Sequence, residues 1–146
     1  MKPNLDSLSA FRHLCRQHGI AATHQRQAVY ECVMESNDHP TPELLHERVR
    51  RRIPMISLAT IYKCVHTFMR IGLWKEASLH HGPVRVDPNL RPHHHLVCRM
   101  CGSMTDISHS GVDLLRIFGK LPRRFRADTV VAEILGTCVD CQIRRR

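Results

Sequence analysis

What the chain lacks narrows its roles first. No uninterrupted apolar run approaches the ~20 residues that a membrane-spanning helix needs. No charged segment leading into an apolar stretch opens the chain as a secretory signal would, so a cytoplasmic location is expected. No nucleophile–base pair or substrate pocket is legible, which ranks an enzyme, such as a thiol oxidoreductase, last. Acidic residues are scarce, with 13 Asp and Glu against 22 Lys and Arg, for a formal charge of +9. The excess is spread along the chain, twelve basic against seven acidic residues in 1–86 and ten against six in 87–146. It favours a polyanionic partner, most simply nucleic acid, although a merely soluble basic surface explains charge alone equally well. A chain of 146 residues holds one ordinary domain or two small ones.

Seven cysteines are too many by one to pair fully. Cys15, Cys32 and Cys64 are scattered through apolar helical stretches and read as buried reduced thiols. The others form two C-x-x-C pairs, Cys98 with Cys101 and Cys138 with Cys141. Such pairs suit a tetrahedral thiolate zinc site, whose roughly −2 charge would offset part of the basic excess. The alternative, redox dithiols, expects a C-x-x-C at a helix N-terminus in a thioredoxin-like setting. Here the first pair falls in a strand–knuckle–strand pattern and the second at the tail. His93 and His95 have strand spacing and share a face, and Asp106 follows on the next strand. Imidazole with carboxylate suits iron, manganese or zinc, so a second, harder and exchangeable metal site is expected beside the structural zinc. By the same alternation His94 should face solvent.

Leu5, Leu8, Phe11 and Cys15 predict a first helix closed by Gly19. A second runs from its cap Thr23 to about Ser36 with Val29, Cys32 and Val33 inward. Thr41, Pro42 and Glu43 start a third, which ends near Arg50–Arg52. Ser57 caps a fourth, with Leu58, Ile61, Val65 and Phe68 inward and Gly72 at its end. Its outer face carries Ala59, Thr60, Tyr62, Lys63 and His66, a set able to meet base edges and phosphates. Two short strands, 74–77 and 83–86, around His80 and His81 complete a winged helix-turn-helix pattern. After Asp87, Pro88 and Pro92 come a strand (93–98), a cysteine knuckle, a strand (103–107), a helix (about 111–119) and a strand (about 125–136). The basic runs 50–52 and 144–146 read as solvated.

The ordered motifs H-P-T (39–41), S-L-A-T-I-Y (57–62), R-V-D (85–87), H-H-H-L-V-C-R-M-C-G (93–102) and C-V-D-C (138–141) resemble the ferric uptake regulator (Fur) superfamily along nearly the whole chain. The resemblance implies an α+β protein: a winged-helix DNA-binding domain (1–86), a hinge (87–92) and an α/β dimerisation and metal-binding domain (93–146) with a four-cysteine zinc. It implies a homodimeric, metal-dependent repressor on a palindromic double-stranded DNA operator. The family's regulatory Fe2+ or Mn2+ site falls on His39, Asp87, His93, His95 and Asp106, and its DNA contacts on Arg26, Ser57, Ala59, Thr60, Tyr62 and Lys63. Uptake regulators resemble one another in a glutamate at position 106, whereas peroxide-sensing (PerR-type) members carry aspartate, as here. That likeness implies a sensor in which metal-catalysed oxidation strikes His39 or His93; an iron or other metal uptake regulator is the alternative. His94 and Val130 depart from residues that form a third site in some members, and Lys63 replaces the asparagine or arginine of many.

Overall fold

A computed structural model describes residues 8–77, 83–108, 122, 124–126 and 128–144. The chain divides into two compact units, residues 1–90 and 91–146. Leu5, the His80–His81 tip and the expected helix at 111–119 lie outside the described residues. Among the described residues, no helix is long and apolar enough to cross a membrane.

The first unit holds four helices, α1 (Leu8–Gln17), α2 (His24–Glu35), α3 (Pro42–Arg50) and α4 (Leu58–Arg70), and a two-stranded antiparallel ribbon of β1 (Lys75–Glu76) and β2 (Val86–Asp87). Three helix starts are set by hydroxyl caps: Thr23 accepts from the Arg26 N–H, Thr41 from Leu44 and Ser57 from Thr60. Gly19 and Gly72 sit just past α1 and α4 with φ of 64° and 71°, where a Cβ would be strained. Between the helices lies a core of Phe11, Cys15, Val29, Tyr30, Leu45, Ile61, Phe68 and Trp74 with their apolar neighbours. Phe68 contacts Trp74 at a ring separation of 4.7 Å and lies 6.2 Å from Tyr30. Leu58, expected inside, is 36% exposed, because as the first residue of α4 it projects beyond the turn that meets the core. Cys15, Cys32 and Cys64 are buried and unbridged, and burial pushes each thiol's pKa up.

The second unit is built on a three-stranded sheet ordered β4-β3-β5, with β3 at His93–Cys98, β4 at Met104–Ser108 and β5 at Glu133–Gly136. β3 pairs antiparallel with β4 and parallel with β5. A short helix, α5 (Val139–Ile143), follows. Two expectations change here. His94 is fully buried rather than solvent-facing: β3 is central, and the Ala132 N–H donates to His94 Nδ1 at 3.2 Å. The last strand is also shorter than 125–136: the His95 N–H donates to the Ala132 carbonyl at 3.0 Å, and the paired positions run from Glu133, opposite His95, to Gly136, opposite Cys98.

Removing the Phe68 ring leaves a void that the surrounding rings cannot fill. Phe68→Ala should therefore cost about 3–5 kcal/mol of first-unit stability. A urea titration followed by the fluorescence of Trp74, the chain's single tryptophan, measures it directly.

Candidate metal centres and nucleic-acid interface

The cysteine centre lies wholly within the second unit. β3 ends at Cys98, and the chain turns through a knuckle in which the Gly102 N–H donates to the Cys98 carbonyl and the Cys98 N–H to the Ser103 carbonyl, both at 2.9 Å. Gly102 takes a φ of 70°, which lets the turn close tightly enough to present Cys101 beside Cys98. β5 then delivers the second pair. Cys138 is the N-cap residue of α5, with Cys141 inside that helix. The four Sγ atoms lie within 4.8 Å of one another, Cys101 and Cys138 at 3.6 Å, and none is in a disulfide. Four thiolates each ~2.3 Å from one tetrahedral zinc would sit roughly 3.8 Å apart, so the set fits that ion.

Electrostatics points the same way. The Cys138 N–H, 3.3 Å from Cys98 Sγ, and the N–H groups of Cys101 and Met100 draw the Cys98 thiol down to about 6. Hydrogen bonding from Ser103 lowers Cys101. Cys141 is instead pushed up to about 12, first by Cys138 and then by burial and the other sulfurs. The first thiolates thus make the last one costly unless a cation neutralises the group. A C-x-x-C at a helix start is also a redox geometry, but a redox dithiol needs one pair, whereas here both pairs converge on one point.

The second cluster of this unit sits at the other end of β3. His93 Nδ1 lies 2.7 Å from the Arg91 carbonyl, so that nitrogen carries the proton and Nε2 is left with its lone pair. His93 Nε2 and His95 Nε2 are 3.0 Å apart, and Asp106 Oδ1 lies 3.5 and 3.6 Å from them. Two nitrogens ~2.1 Å from one ion and about 90° apart would be separated by roughly 3.0 Å, which is the spacing found. Asp106 reaches the histidines because β4 pairs it directly opposite His95.

In the first unit, His39 and Asp87 are both buried and meet at 3.8 Å, Nδ1 to Oδ1. Asp87 is a strand residue of β2, paired with Lys75. His39 has a φ of 46°, a left-handed conformation that costs about 1–2 kcal/mol for a residue with a Cβ. It is held there by Arg85, whose Nη1 donates to the His39 carbonyl, and by the Val86 N–H, which donates to the Pro40 carbonyl. Sequence reasoning assigned Arg85 no role; its only signal was its place in the R-V-D motif.

The expected DNA-contacting residues of α4 lie in its first turns. Ala59 and Lys63 are exposed, while the Ser57 and Thr60 hydroxyls meet at 2.9 Å around the cap. Tyr62 stacks on His66 at 6.3 Å, and its O–H donates to Glu43, a partner the sequence did not suggest. Arg26 lies on α2, where its Nη1 donates to the Ala21 carbonyl at 2.7 Å.

The cysteine geometry predicts about one tightly held zinc per chain. Cys98→Ser or Cys138→Ser should abolish it, and His95→Ala should not; elemental analysis of the dialysed protein is the measurement.

Residues 17–118 match the family described as Ferric uptake regulator family. The peroxide-responsive repressor PerR of Staphylococcus aureus (strain Mu50) is 32% identical over 127 residues, covering 87% of this chain and 86% of that protein. Among solved structures, the Campylobacter jejuni peroxide stress regulator aligns with a TM-score of 0.59 at 26% identity over 87% of this chain and 96% of that one. A zinc-bound manganese uptake regulator shares the fold, with a TM-score of 0.76 at 23% identity over 88% and 98% of the two chains. With its N-terminal helices, its small sheet domain and its clustered cysteines, the chain belongs to the ferric uptake regulator family, and is a metal-dependent transcription regulator rather than an enzyme.

Proposed function

We propose that this regulator is a peroxide-sensing repressor of the PerR type, acting as a cytoplasmic homodimer on a palindromic DNA operator. The observation that carries the reading is Asp106. A short-stemmed carboxylate, not a glutamate, stands 3.5 and 3.6 Å from the paired imidazoles. The 32% identity to a peroxide-responsive repressor supports it.

In this reading residues 1–86 bind DNA, 87–92 act as a hinge and 93–146 dimerise. Cys98, Cys101, Cys138 and Cys141 hold a structural zinc. His39 and Asp87 join His93, His95 and Asp106 as one ligand set for Fe2+ or Mn2+. Because the set draws on both units, filling it favours one arrangement of the DNA-binding halves. Coupling of ~1–3 kcal/mol would change operator affinity roughly 5- to 150-fold. On DNA, Ser57, Ala59, Thr60, Tyr62 and Lys63 would enter the major groove while Arg26 meets phosphate.

Bound ferrous iron would supply the one-electron chemistry that cleaves the peroxide O–O bond. The net change falls on the protein. A ring C–H of His39 or His93 becomes C–OH, the second peroxide oxygen leaves as water, and two electrons pass from the imidazole to peroxide. Arg91 keeps the His93 ring oriented through its carbonyl, so the same edge is presented each time. The oxidised ring is a poorer ligand, the set loosens and repression is relieved.

The test is peroxide treatment of the iron-loaded protein followed by peptide mass spectrometry and a DNA-binding titration. One added oxygen on His39 or His93, with loss of operator binding, is expected, and the manganese-loaded protein should resist. Asp106→Glu should slow the oxidation while keeping metal-dependent binding. Intact histidines with full DNA binding after peroxide would leave a metal-uptake regulator as the reading.

A further inference from the structure

Tyr62 of α4 and Glu43 of α3 are 19 positions apart, yet the Tyr62 O–H donates to Glu43 Oε1 at 2.5 Å. Glu43 is exposed at the start of α3, beside the cap Thr41. Its carboxyl is held below the usual carboxylate range, first by the Tyr62 O–H, then by its own backbone N–H and the Thr41 hydroxyl. An ionised carboxylate has no hydrogen to give, so the donor must be the phenol. The ring plane is also constrained, because His66 stacks on it with 25° between the planes.

We infer that Glu43 sets the hydrogen-bonding sense of Tyr62, and so is a specificity-determining positioning residue for DNA recognition. The inference rests on the proposal that α4 reads the major groove. A tyrosine has one hydroxyl hydrogen, and Glu43 takes it. What Tyr62 still offers a third group is a lone pair, an acceptor. In the major groove, adenine N6 and cytosine N4 present donors, whereas guanine O6 and N7 and thymine O4 present acceptors. Phosphate oxygens are acceptors too. Tyr62 as held is matched to an amino-bearing base and mismatched to guanine, thymine and the DNA backbone. The Glu43 charge adds a second filter, since an exposed carboxylate beside the reading helix repels phosphate wherever no favourable base contact offsets it.

The experiment selects duplexes from a library randomised over one half-site, using the full chain loaded with zinc and manganese. Affinity for a random duplex is measured in parallel. The wild type should enrich adenine or cytosine at one position by about 3- to 10-fold, the value of one hydrogen bond. Tyr62→Phe should flatten that position. Glu43→Ala should flatten it to the same extent while tightening random-duplex binding, and should change base preference no further when added to Tyr62→Phe. Glu43→Gln keeps the shape without the charge. It should also tighten random binding, with a base preference between the two, and it serves if Glu43→Ala does not fold. A purely structural Glu43 would instead weaken selected and random duplexes together, which overturns the inference. So would an unchanged preference in Glu43→Ala where Tyr62→Phe has flattened it, with the α4 reading left standing. If Tyr62→Phe alters no position, the Tyr62 hydroxyl reads no base and the inference falls, with ring contact to a thymine methyl left to the α4 reading.

Discussion

The alternation of one strand organises the second unit. β3 carries His93 and His95 on one face near its start and Cys98 at its end. With a rise of ~3.3 Å per residue, His95 and Cys98 stand roughly 10 Å apart on a rigid central strand. Two ligand sets of different softness are thereby kept from mixing. Sulfur collects where the knuckle and the start of α5 meet, and nitrogen with oxygen where β4 brings Asp106 opposite His95. Thiolate sulfur suits a soft ion and imidazole with carboxylate a harder one, so the two sets differ in the metals they would favour.

Charge explains why the cysteine centre is a fastening point. Backbone N–H groups ionise Cys98 cheaply, but each added thiolate raises the cost of the next, and Cys141 carries that cost most heavily. A divalent cation held by the four sulfurs would remove the repulsion and tie the residues after β5 to the knuckle after β3. The Cys138 N–H already reaches across to Cys98 Sγ, so the backbone is set for closure by the same contact that lowers the thiol.

In the first unit the corresponding constraint is backbone strain at His39. A left-handed histidine before a proline persists because Arg85 and Val86 hold the two carbonyls on either side of that bond. The same ribbon supplies Asp87, so one short β-pair both fixes the His39 backbone and places a carboxylate beside its ring. The aromatic core of Phe11, Tyr30, Phe68 and Trp74 sets α4 against α2 and leaves its polar start outward.

Much of this was legible locally. Hydroxyl caps at Thr23, Thr41 and Ser57 mark helix starts because they satisfy N–H groups three residues on, a relation that needs no tertiary contact. The period of two in 93–95 and the two C-x-x-C spacings name candidate ligands for the same reason. Tertiary structure alone decided what depends on groups far apart in the chain. His94 is buried because Ala132 crosses it, and Asp87 belongs to a strand because Lys75 pairs with it. Tyr62 is turned into an acceptor because α3 and α4 bring Glu43 to its hydroxyl. Sequence fixes which groups a residue can offer; only packing determines which of them are already taken.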